Sequence, residues 1–148
     1  MIDPDAPSAP VARLLARAAA WLVLLGLLTG IYVSAAMTGK VAVDAHAALA
    51  SHLNAILGAF LLLGVAVTLP LLRYGPTGQR RLAWAFIVAN FANWWITAVK
   101  SALHVSGVDW TGQPANNAIF VALTLGVVLP GLGGAVAWVH GLSGKARS

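Results

Sequence analysis

Four apolar runs, each about as long as a bilayer is thick, constrain this chain more than anything else in it. They cover residues 18–37, 45–72, 82–103 and 117–139, and roughly 20 helical residues cross the hydrocarbon core of a membrane. Lipid offers the backbone no hydrogen-bond partner, so a spanning segment must be a helix or belong to a closed barrel. Long apolar runs without period-two alternation specify helices. The expected fold is all-α: an integral membrane four-helix bundle, multi-pass, forming one domain over residues 1–148 with short tails at 1–12 and 142–148. Composition agrees, since 59% of residues are hydrophobic, 9% are charged and the mean hydropathy is +0.83. That is the composition of a chain whose partner is a lipid bilayer.

The connections read as turns. "RYGPTGQRR" and "SGVDWTGQPANN" are rich in Gly, Pro, Asn and Ser, and the Pro-rich start "MIDPDAPSAP" is expected to be disordered. The first run has a competing reading as a cleavable signal, with Arg13 and Arg17 in front, "WLVLLGLL" as apolar centre and "VSAA" as cleavage site. Its near-spanning length favours a retained helix.

Charge fixes the expected orientation. Arg13, Arg17, Arg73, Arg80, Arg81, Lys145 and Arg147 fall on one side of a four-span arrangement, and only Lys40 and Lys100 fall toward the other. The positive-inside rule then puts both termini in the cytoplasm, across a bacterial-type inner (cytoplasmic) membrane. The net charge of +5 is accounted for by this asymmetry, so no nucleic acid partner is implied. Trp21, Trp84, Trp110 and Trp138 lie near helix ends, as interfacial anchors do, whereas Trp94 and Trp95 lie within the third span. The absence of cysteine excludes disulfides, thiolate haem ligands and iron–sulfur clusters. There is no Gly-rich phosphate loop, paired intramembrane carboxylate or nucleophile elbow.

Polar residues inside the spans mark the candidate site. Asn90, Asn93, Thr97, Ser101 and His104 follow one another at intervals of 3, 4, 4 and 3, which at about 100° per residue makes one stripe. Such a stripe must face protein, water or a cofactor. For Asn90 alone, hydrogen bonding between helices explains the residue; the whole stripe suggests a lined cavity. In the second span His52 shares a face with Ala48, Ala55, Ala59 and Ala66, while Asn54 projects nearly the opposite way. The alanine track has two readings: close approach of another helix, or a flat slot for a planar macrocycle with His52 as its iron ligand. His46, His104 and His140 lie near the interfaces, where hydration explains them. "GVVLPGLGGAVAW" reads as a helix kinked at Pro130, with Gly126 and Gly134 allowing close packing.

The second and third spans resemble those of the styrene oxide isomerase family of small four-helix membrane proteins. The resemblance rests on a histidine early in the second helix, "TLP" near its end, and "ANFANWW" in the third, with His52, Pro70 and Asn93 at the family's intervals. It covers about residues 45–105 well and the rest by topology. It implies haem b bound at the subunit interfaces of a homotrimer, with His52 as axial ligand to the iron. It implies a hydrophobic small-molecule substrate, an aryl epoxide rearranged to a carbonyl compound. In that setting Ala48, Ala55, Ala59 and Trp94 would flank the haem, and Thr97, Asn93 and Asn90 would face the substrate. The family's catalytic tyrosine falls on Thr97 and its catalytic asparagine on Gly58. Two other functions stay open: a non-catalytic membrane haem protein for electron transfer or small-ligand sensing, and a haem-free four-helix module that binds lipid or a partner.

Overall fold

The computed structural model describes residues 8–144 and is all-α over them, without a strand. Helices α1 (Ala9–Met37), α2 (Ala45–Thr68), α3 (Pro76–Leu103) and α4 (Pro114–Leu142) are each long and apolar enough to cross a membrane. The chain is a multi-pass membrane protein. Residues 1–7 of the proline-rich start and 145–148 of the basic tail lie outside the described residues.

Local chemistry explains the helix bounds. Proline opens α1, α3 and α4 from their first turns, where a missing N–H costs nothing and the fixed φ already suits the helix. Asp44 caps α2, its Oδ1 accepting from the N–H of His46 at 2.9 Å and of Ala47 at 3.0 Å. Pro70 turns the far end of α2 into a short 3₁₀ turn at Leu69–Leu71. His104 ends α3 in the left-handed conformation, φ 51°. Several helices extend beyond the apolar runs: α1 begins at Ala9 and α3 at Pro76, because good helix formers such as Arg and Gln continue the helix past the hydrocarbon.

Small residues bring the helices together. A Cβ on Gly26 of α1 would lie 2.7 Å from Ile56 Cδ1 and 3.2 Å from Ala55 Cβ, so glycine there lets the side chains of α2 pack directly against the α1 backbone. Leu15, Leu22, Leu62, Val65 and Ala83 fill the core with no exposure. Helix α4 is the most loosely held, and a five-residue π turn at Thr124–Val128 precedes Pro130. The kink expected at Pro130 therefore has its irregularity one turn earlier, where the backbone adjusts to the missing N–H. Gly126 approaches Ala92, and Gly134 approaches Phe86. Asn116 ties the loop between α3 and α4, accepting from Gly107 N and donating to Asp109 O, both at 2.7 Å.

The outward faces are apolar, as lipid requires: Leu27, Ile31, Leu57, Phe60, Leu132 and Val136 are all exposed. Trp21, Trp84 and Trp110 are exposed too. Trp138 differs from the anchor expected there. Its indole N–H donates to Thr68 Oγ1 at 2.9 Å, and its ring stands edge-on to Phe86.

Candidate functional site

Helix α2 presents two working faces. Ala48, His52, Ala55 and Ala59 turn toward α1, while Ser51, Asn54 and Gly58 turn toward α3. On the first face Ala48, Ala55 and Ala59 are buried. Ala48 packs with Val33 and Ala36 of α1, and Ala55 lies against Gly26. Within one chain the alanine track is thus where α1 approaches closely, the first of its two sequence readings.

His52 stands at the margin of that contact, half-buried. Its Nδ1 is 2.7 Å from the carbonyl oxygen of Gly26. A carbonyl can only accept, so Nδ1 carries the proton and Nε2 keeps its lone pair. Gly30, one turn on, leaves the ring uncovered, since a Cβ there would only touch it at 3.5 Å. This arrangement fixes one nitrogen on a backbone oxygen and leaves the other without a hydrogen-bond partner among the described residues, which suits an imidazole that ligates. Among the described residues no three His, Cys, Asp or Glu side chains gather closely enough to hold a metal ion by themselves. A macrocycle that brings its own equatorial nitrogens needs only one such ligand.

The polar stripe of α3 does not act as one surface. Asn90 donates to Phe86 O at 2.8 Å and faces Gly58, where a Cβ would come within 2.6 Å of its Oδ1. Ser101 joins Tyr32 of α1 at 2.8 Å and donates to Ala98 O. His104 leaves the helix, its Nε2 3.2 Å from Ala42 O, so it and His52 are held by different partners. Trp94 reaches across to α1, donating from Nε1 to Thr29 Oγ1 at 2.9 Å, and its carbonyl accepts from Ser51.

Between α2 and α3 the remaining polar residues meet. Asn54 Nδ2 donates to Asn93 Oδ1 at 3.1 Å and to Thr97 Oγ1 at 3.2 Å. Thr97 is buried, whereas Asn54 and Asn93 are half-exposed to the groove. Toward the start of α2, a cleft of about 410 Å³ is lined by His46, Ala50, Lys100 and His104, among others, and by none of this trio. Asn54 was passed over in the sequence because it points away from His52. The signal was available: Ala50, Asn54 and Gly58 recur every four residues on one face.

A family model for styrene oxide isomerase matches residues 11–143. The chain belongs to the styrene oxide isomerase family. No significant match was found among curated proteins or among solved structures. The match extends well past the second and third helices that carry the motif resemblance.

Proposed function

We propose that this chain is a membrane isomerase that converts a hydrophobic aryl epoxide to a carbonyl compound, with haem b held on His52. The observation that carries the reading is the Nδ1–H bond from His52 to the Gly26 carbonyl, found in a chain of this family. It leaves a half-buried imidazole with its Nε2 lone pair available at the edge of the bundle, the residue that would hold the haem. Haem, when bound, supplies an iron Lewis acid for the epoxide oxygen.

The chain's own residues do the rest. Asn93 and Thr97 bring hydrogen-bond donors to an oxygen that gains negative charge as a C–O bond breaks. A hydride then shifts between adjacent carbons of the substrate, so no electrons enter or leave and no carboxylate base is required. Asn90 closes the groove beside Gly58. The apolar surroundings of the spans discourage water, whose attack would give a diol. His52 and the Asn93–Thr97 groove lie on different flanks of α2, separated by the exposed ridge of Leu53, Leu57 and Phe60. That separation favours a site completed between copies of the chain, in a homotrimer lying in the inner membrane with both termini cytoplasmic.

The test is spectroscopic first. Purified full-length protein should show a Soret band that His52→Ala abolishes and His46→Ala, His104→Ala and His140→Ala retain. Aryl epoxides should then yield aldehyde or ketone, and Asn93→Ala or Thr97→Val should slow conversion with the band intact. Gly58 and Thr97 also favour a second reading, a haem protein for electron transfer or small-ligand sensing. Full haem occupancy without conversion of any aryl or alkyl epoxide would select it.

A further inference from the structure

Position 58, where the family resemblance calls for an asparagine, has no side chain, and Asn90 fills the space beside it. One turn along the same face of α2 stands Asn54, with both protons of its amide spent on neighbours. One goes to Asn93 Oδ1 and the other to Thr97 Oγ1. These bonds dictate what the neighbours have left. Asn93 has its oxygen occupied, and its Nδ2 has no hydrogen-bond partner among the described residues. Thr97 has its oxygen lone pair engaged, and its own proton meets only Asn93 Oδ1 at 3.5 Å, the outer limit of a hydrogen bond. In lipid, donors left in this state are costly.

We propose that Asn54 is the positioning residue of the site: it holds Asn93 and Thr97 so that their free protons converge on a ligand oxygen in the α2–α3 groove. The assignment rests on the reading above that this groove takes the epoxide oxygen. It also defines the ligand class. Protons of Asn93 Nδ2 and the Thr97 hydroxyl are offered together, so the site suits an oxygen that only accepts, such as an epoxide or a carbonyl. Without Asn54, the Asn93 amide is free to turn over and Thr97 to bond back to its own helix.

Two measurements on the full chain in lipid nanodiscs test this. The first uses turnover of an aryl epoxide. Asn54→Ala and the volume-matched Asn54→Leu should each lower kcat by about tenfold, the scale of one hydrogen bond, with the Soret band unchanged. In an Asn93→Ala, Thr97→Val background the same substitutions should have no further effect. Full activity of Asn54→Leu, or an undiminished further loss in that background, would overturn the proposal. The second needs no turnover. In ¹⁵N spectra, Asn54→Ala should shift the side-chain amide pair of Asn93, and Asn90→Ala should not. An unmoved Asn93 pair would overturn the role of Asn54. A wild-type chain that converts no epoxide yet shows the shift would overturn the isomerase reading and leave the positioning role standing.

Discussion

Gly58 and Gly64 lie in the same helix, and a methyl group added to each should have opposite effects. Alanine favours an exposed helix over glycine by about 1 kcal/mol. At Gly64 a Cβ meets nothing within 4 Å, so Gly64→Ala should be neutral or stabilising by up to that amount. At Gly58 the Cβ would lie 2.6 Å from Asn90 Oδ1 and 3.1 Å from Asn90 Cβ and Cγ. Asn90 can swing its amide away only by giving up the 2.8 Å bond to Phe86 O, at a cost of about 1 kcal/mol. The Cβ contact, fixed to the α3 backbone, stays and adds an overpacking cost of roughly 1–3 kcal/mol. Set against the helix gain, Gly58→Ala should destabilise by about 1–3 kcal/mol. Asn90→Ala removes the amide but keeps the Cβ that lies 3.1 Å away, so in that background Gly58→Ala should cost about 1 kcal/mol less than in the wild type while staying less stable than Gly64→Ala. Reversible unfolding of the full chain in mixed micelles, titrated with a denaturing detergent, measures all three. Equal stability of Gly58→Ala and Gly64→Ala, or no coupling between positions 58 and 90, would refute the claim that the Asn90 amide occupies the space beside Gly58.

Three further outcomes are expected. Asp44→Ala should cost about 1 kcal/mol through loss of the α2 cap, read as a lower unfolding midpoint, whereas Asp44→Asn should keep most of it. The N–H of Ala47, with that of His46, holds the Asp44 carboxyl below the usual carboxylate range. A depressed folded-state pKa means stability fully present above the unfolded value and lost as pH falls through the folded one; an acid titration should show that loss in the wild type and not in Asp44→Asn. Reporter fusions after Ser148 and within residues 106–114 should report the cytoplasm and the opposite side, and a C-terminus on the same side as the 106–114 loop would contradict the even number of spans. Trp94→Phe should remove the bond to Thr29 and lower stability by about 1 kcal/mol, with Thr29→Val giving no additional loss beyond it.

The bundle was legible because bilayer thickness and backbone hydrogen bonding leave a long apolar run few alternatives. The site was legible only in part. His52 stood out as a polar group in apolar surroundings, but its bond to Gly26 did not, because a glycine carbonyl leaves no trace in a residue pattern. Periodicity put Asn90, Asn93, Thr97 and Ser101 on one stripe and could not say that three different partners divide it: Gly58 with Phe86, Asn54, and Tyr32. The π turn before Pro130 was hidden for a similar reason. Proline announces that one backbone bond is missing, and the surrounding packing chooses where the helix adjusts.

The bond between His52 and Gly26 also carries a consequence for the order in which the molecule is built. Both residues belong to the first two helices, and a chain emerges from the ribosome N-terminus first. Once that hairpin has formed, the ring is anchored and its tautomer decided, before α3 has delivered Asn93 and Thr97. The contact between α1 and α2 is complete while the contact between α2 and α3 does not yet exist. Substitutions at Gly26 and Gly30, which contribute no side chain to any ligand, would therefore act at the earliest step of assembly and be felt at its last.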